Sequence, residues 1–150
     1  MTLIRRASPD DSMIISGFQK KLAYETENIS LDPCTVEKGV RAVFSDPAKG
    51  CYYIAEIGDI IAGSLLTTYE WSDWRNGHII WIQSVYVLPL YRNKGVFRRL
   101  YSHIKQIVVN NPDYMGIRLY VDKTNRTALE VYRQIGMNDE HYQMFEWISS

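Results

Sequence analysis

The octapeptide RNKGVFRR, Arg92 to Arg99, sets four cationic side chains around one glycine. It follows a β-branched run that stops at Pro89 and precedes a helix-patterned stretch. A helix N-terminus exposes unpaired N–H groups and carries partial positive charge. A turn that aims those donors at one point binds anions, and phosphate is the common guest. Gly95 lets the backbone approach closely, while Arg92, Lys94, Arg98 and Arg99 add charge and bidentate donors. The stretch is neither a P-loop (G-x-x-x-x-G-K-[ST]) nor a dinucleotide fingerprint (G-x-G-x-x-G). Taken alone, it fits a solvated basic turn as well as an anion site.

Other groups that could do chemistry lie on both sides of this turn. In YEWSDW, Tyr69, Trp71 and Trp74 alternate with Glu70 and Asp73. Aromatic faces beside carboxylates suit an organic cation, through cation–π contact and ion pairing. The same pattern also describes a hairpin end whose rings cover the core or a dimer partner. Glu25, Glu27 and Asp32 form an acidic segment that favours a cationic ligand or, equally, a solvated loop. His78, His103 and His141 are scattered, and Cys34 and Cys51 form no C-x-x-C, so no metal site is expected.

The elements that must position these groups follow from periodicity. Leu3 to Arg6 predicts a first strand. Ser8, Pro9 and Asp11 have capping spacing, and Ile14, Ile15, Phe18 and Leu22 follow on one helical face. Thr35 is expected to cap a second helix bearing Val36, Val40, Val43 and Phe44. CYYIAEI and IIAGSLLTTYEW meet across Gly58-Asp59, a two-residue hairpin turn. HIIWIQSVYV is a third strand. Val96, Leu100, Ile104, Ile107 and Val108 predict a third helix, IRLYV a buried-type strand, and NRTALEVYRQIG a helix closed by Gly136. YQMFEWI is expected to be the last strand. The order β-α-α-β-β-β-α-β-α-β predicts an α/β fold, a mixed sheet with about four helices on its faces.

The chain has 150 residues, which suggests one domain over residues 1–150 with a core that needs no disulfide staples. Formal net charge is zero, which disfavours broad nucleic-acid binding. No segment is long and apolar enough to span a membrane, and MTLIRRASPDD lacks the apolar core of a signal peptide. A cytoplasmic protein with two ordinary thiols is the expectation.

About thirty residues beyond the basic turn, NRTALEVYRQIGM places Asn125, Ala128, Tyr132 and Gly136 at offsets of three, seven and eleven. Together with SVYVLPLYRNKG this resembles the GNAT-type, acetyl-CoA-dependent N-acetyltransferases. Arg92 and Gly95 match that family's [Q/R]-x-x-G-x-[G/A] turn. Asn125, Ala128, Tyr132, Gly136 and Met137 match its N-x-x-A-x-x-x-Y-x-x-x-G-[F/M] helix. The element order agrees over nearly the whole chain. Phe97 departs from the pattern, standing where the family usually has Gly or Ala.

The resemblance implies a central GNAT-like sheet and acetyl-CoA as co-substrate. It implies that pantetheine lies along IQSVYV, against the backbone of Val85 and Val87 with Tyr86 between them. The pyrophosphate would rest on amides from Arg92 through Asn93, Lys94, Gly95, Val96 and Phe97 to Arg98, and Asn125 would hold the pantetheine near the thioester. Tyr132 matches the family's proton donor to the departing thiolate. A primary amine must lose a proton before it attacks. The central strand offers no carboxylate for that step. Glu70 is the better-placed acidic candidate, and a water wire without a dedicated base serves as well. Glu25, Trp71, Asp73 and Gln83 are the expected acceptor contacts. The implied reaction is N-acetylation of a small cationic or amino-acid-like amine. Alternatives on the same fold are a protein N-acetyltransferase and a non-catalytic acyl-CoA sensor. A homodimer is common in the family.

Overall fold

The computed structural model describes residues 1–150, and their contacts divide into two compact units, Met1–Arg118 and Leu119–Ser150. The first unit contains β1 (Thr2–Arg6), α1 (Ser12–Glu27), α2 (Pro33–Ser45), β2 (Cys51–Ile57), β3 (Ile60–Ser72), β4 (Gly77–Val87), α3 (Val96–Asn110) and β5 (Tyr114–Arg118). The second contains α4 (Arg126–Gln134). The five strands form one sheet in the order β1-β2-β3-β4-β5. Pairing is antiparallel as far as β4, and β5 joins parallel after the α3 crossover. This is the expected mixed sheet with four helices.

Local chemistry explains most boundaries. The Ser8 N–H donates to Asp11 Oδ2 at 2.8 Å, and Pro9 opens the short turn that leads into α1. The α2 cap differs from expectation. It is Asp32, whose Oδ2 accepts the Thr35 N–H at 2.9 Å and the Thr35 hydroxyl at 2.7 Å. Pro33 has no N–H to donate and suits the first helical position, which sets the cap one residue earlier, at Asp32. On α1, Ile15 and Phe18 are buried while Ile14 is exposed.

Strand register sorts the side chains between two faces. Tyr52 and Ile54 pack with Ile15 of α1 and Val40 of α2, flanked by Leu66 of β3. Residues of the same parity across the sheet therefore share the α1/α2 face: Leu66, Thr68 and Glu70 on β3, and Ile79, Trp81 and Gln83 opposite them on β4. The other parity faces α3, where the Tyr53 and His103 rings meet at a tilt with centroids 5.5 Å apart. Tyr69, Trp71 and His78 belong to that side.

In the second unit, Asn125 caps α4 and Gly136 closes it. Gly136 is left-handed at φ 95°. The Met137 N–H donates to the Tyr132 carbonyl at 3.0 Å and the Gly136 N–H to that of Arg133 at 3.1 Å, a Schellman closure. The last strand is not formed. Residues 141–149 carry no ladder, and Tyr142, Phe145, Trp147 and Ile148 are largely exposed. Strand propensity becomes a strand only where a partner edge is met.

Candidate active site

Two features of β4 shape the site. The first is a bulge. Leu66 pairs with Gln83 and Ser64 with Tyr86, so Ser84 and Val85 together oppose Leu65. Ser84 takes φ 53°, a left-handed conformation that a non-glycine residue adopts rarely and at a cost. The extra residue resets the side-chain alternation, so Tyr86 emerges on the α1 face, where its ring packs on Phe18 at 5.2 Å.

The second feature is a free edge. β5 pairs with β4 only from His78 to Trp81, so from Ile82 to Val87 no strand of the sheet covers the β5 side. The Leu88 N–H donates to Ala62 O on the β3 side at 2.8 Å. Across the same trans peptide, the Val87 carbonyl therefore points to the open side. Backbone groups on such an edge accept an extended ligand as they would a strand.

That edge runs into the basic turn. Asn93 and Gly95 both take left-handed conformations, at φ 62° and 79°, and Gly95 is the N-cap of α3. The first intrahelical bond is Arg99 N–H to Gly95 O at 3.1 Å. The N–H groups of Val96, Phe97 and Arg98 thus have no intrahelical acceptor. A Cβ at Gly95 would meet no heavy atom within 4 Å, so the space beside this residue is open. The Phe97 ring lies along the helix against Tyr101, centroids 6.2 Å apart. That is the i,i+4 neighbour one turn on, and the ring does not close over the turn through this contact. Lys94 sits 5.8 Å from the Tyr91 ring centroid.

Glu25, in the last turn of α1, reaches this corner. Its Oε2 accepts the Tyr86 hydroxyl at 2.5 Å and its Oε1 accepts Arg92 Nη2 at 2.9 Å. Arg92 Nε donates to the open Val87 carbonyl at 2.8 Å, and its guanidinium stands 5.4 Å from the Tyr86 ring centroid. The Tyr86 and Arg92 hydrogen bonds hold the Glu25 carboxyl below its ordinary range. Burial, then the Glu25 contact, push the Tyr86 phenol up to about 12.

The remaining expected residues separate. Glu70 shares the α1 face with Gln83, but its carboxylate is already engaged. Oε1 accepts Trp81 Nε1 at 2.7 Å, and Arg118 Nη1 lies 2.8 Å from Oε2. These partners, Trp81 first, lower its pKa, which makes it a weak base. Gln83 Nε2 donates to Thr68 Oγ1 at 3.1 Å. Trp71 lies on the opposite face, edge-on to His78 at 5.1 Å. Asp73 is exposed in the β3–β4 turn. Sequence reasoning missed the Ser84 bulge, Trp81 and Arg118. A serine in a β-branched run carries no bulge signal, whereas Arg118 was readable only as part of a short strand.

In the second unit, Asn125 Oδ1 accepts the Ala128 N–H at 3.1 Å, which leaves its amide NH2 as a donor. Tyr132 is half-buried, and burial raises its phenol pKa, so it keeps its proton at neutral pH.

Comparison with known proteins bears on the family and the fold. Residues 18–137 match the family described as Acetyltransferase (GNAT) family. A thialysine N-epsilon-acetyltransferase from Mus musculus is 27% identical over 148 residues, covering 92% of this chain and 85% of that protein. A crystal structure of a possible acetyltransferase from Clostridium difficile 630 is 41% identical, with TM-score 0.92 over 100% of this chain and 99% of the other. A predicted acetyltransferase from Clostridium acetobutylicum, solved with acetyl-CoA, shares the fold at TM-score 0.76 and 17% identity, covering 97% and 96% of the two chains. The match over most of the chain settles the assignment: the protein belongs to the GNAT family of acetyltransferases.

Proposed function

We propose that the protein transfers the acetyl group of acetyl-CoA to a primary amine on a small cationic or amino-acid-like molecule, by direct attack, with Tyr132 as general acid. The observation that carries this reading is the uncovered edge of β4 leading into the α3 turn. The edge has the polarity of a strand partner, and the turn carries the first amides of α3, which have no acceptor within the helix. Both fit a molecule with an extended amide arm ending in a diphosphate. Once bound, acetyl-CoA supplies an activated acyl group as its thioester.

The residues divide the work. Val85 and Val87 offer backbone groups to the arm, with Tyr86 between them. Val96, Phe97 and Arg98 direct amides at the diphosphate, Asn93 and Gly95 shape the turn, and Arg92 and Lys94 add charge. Asn125 has a free amide NH2 for the arm. Tyr132, protonated at neutral pH, donates to the departing sulfur. Glu25 and Gln83 wall the acceptor side on the α1 face. Trp71 and Asp73 stand apart from that wall. The ion-paired Glu70 orients Trp81 and Arg118 rather than taking the amine's proton, which passes to water.

Similarity to a thialysine N-epsilon-acetyltransferase supports an amine at the end of an amino-acid-like chain. The family match spans both units, which supports one functional domain. We place the enzyme in the cytoplasm, with both cysteines free and no helix long and apolar enough to cross a membrane. Thiol release from acetyl-CoA over a panel of amines tests the reading. Turnover with at least one diamine or lysine-like amine is expected. Tyr132→Phe is expected to lower kcat by about 10²-fold with CoA affinity nearly unchanged. Acetyl-CoA binding without release for any amine would favour a non-catalytic sensor instead.

A further inference from the structure

The Glu25–Arg92 pair occupies the meeting point of the two ligand sites proposed above. Three observations make it unusual. A carboxylate in the last turn of a helix faces the negative end of the helix dipole, so α1 itself disfavours Glu25 there. Arg92 bends back from the turn to donate to the Val87 carbonyl, on the free edge assigned to the cofactor arm. The ion pair is more than a third exposed on both sides, 43% and 37%, and a solvated pair of this kind contributes little to stability and opens cheaply.

Resting on the reading of β4 and the α3 turn as the acetyl-CoA site, we propose that Glu25 is a positioning residue that holds Arg92 back from the diphosphate and surrenders it when the cofactor binds. In the free protein the guanidinium bridges Glu25 and the Val87 carbonyl. With a diphosphate at the turn, Arg92 meets a more highly charged and bidentate partner. Its move frees the Val87 carbonyl for the arm and takes from Glu25 its ion-pair partner. The carboxylate then stands beside an anionic ligand, hydrogen-bonded by the Tyr86 hydroxyl with Lys21 as its remaining neighbouring cation, and is attractive to an ammonium. Cofactor binding therefore prepares the cation site, and by linkage a bound cationic acceptor tightens the cofactor.

The test is a double-mutant cycle on CoA affinity at low salt, using wild type, Glu25→Gln, Arg92→Gln and the double variant, with melting curves to confirm folding. Glu25→Gln is expected to tighten CoA severalfold in the wild-type background and by less than half as much once Arg92 is Gln. Equal tightening in both backgrounds would mean simple charge repulsion and would overturn the handover. Unchanged or weaker CoA binding by Glu25→Gln would overturn it too. Absence of CoA binding to the wild type removes the cofactor reading itself, and the handover with it. The second arm uses the amine that the wild type turns over best. Glu25→Gln is expected to raise the amine KM by more than it lowers kcat, and an unchanged KM excludes Glu25 from the acceptor site.

Discussion

Asp11 shows how much one side chain can carry. It is almost fully buried and accepts both Arg5 Nη groups, at 2.9 and 3.1 Å, as well as the Ser8 N–H. The Arg5 hydrogen bond is the largest cause of its lowered pKa. A carboxyl whose pKa is depressed by folding adds stability above its unfolded value of about 3.9 and loses it as pH falls through the lower folded value. Asp11→Asn is therefore expected to cost about 1–3 kcal/mol at pH 7, with the gap to wild type shrinking below about pH 3.9. Urea melts at pH 7 and pH 3 measure this. Asn125 can be dissected in the same way. Asn125→Asp keeps the cap oxygen and removes the amide donors, whereas Asn125→Ala removes both and costs about 1 kcal/mol. If Asn125 touches the cofactor, the Asp variant melts like wild type but binds CoA more weakly; equal CoA binding would leave it a cap alone. The motif that suggested a tyrosine acid also proves structural, since Gly136 and Met137 close the helix on the Tyr132 and Arg133 carbonyls.

At the scale of elements, the β3–β4 pair is the critical joint. A Cβ at Gly63 would stand 2.8 Å from the Tyr86 carbonyl oxygen and 3.3 Å from Val87 Cγ2. The first is backbone and cannot swing away. Gly63→Ala is expected to destabilise by about 1–3 kcal/mol through overpacking and to weaken CoA binding by shifting Val87. Thermal melting and CoA titration report the two effects separately. Periodicity made the helices, the hairpins and the order of β1 to β4 legible, because apolar spacing reports which face is buried. It could not reveal the bulge at Ser84, which is a choice of backbone dihedral that serine does not advertise. Nor could it supply a partner for Tyr142 to Ile148. The α2 cap was misassigned to Thr35 because both Asp32 and Thr35 are capping types and only the geometry shows which is the acceptor. Within the candidate site, RNKGVFRR was readable because its function is in the backbone. Glu25's bond to Arg92 spans 67 residues and has no local trace.

For the whole molecule, a balanced net charge and an exposed apolar C-terminal segment are the properties that solution work will meet first. Tyr142, Phe145 and Trp147 are 72%, 91% and 85% exposed. Exposed terminal segments are preferred sites of proteolytic nicking. Brief chymotrypsin treatment is expected to cut first after one of these three residues and to spare the sheet, as read by intact mass. First cuts inside Met1–Arg118 would contradict this. The bulge has a last consequence, best put in terms of parity. Two residues opposite one act on β4 as an odd insertion acts on a reading frame: everything after Ser84 is displayed half a turn out of phase with everything before it. Deleting one of Ser84 and Val85 would restore the simple alternation and leave Tyr86 opposite Ser64, on the α1 face beside Glu25, whereas deleting both would turn Tyr86 toward α3. The stretch should therefore accept loss of its one extra residue more readily than loss of two, because only the first keeps Gln83 and Tyr86 on the same face.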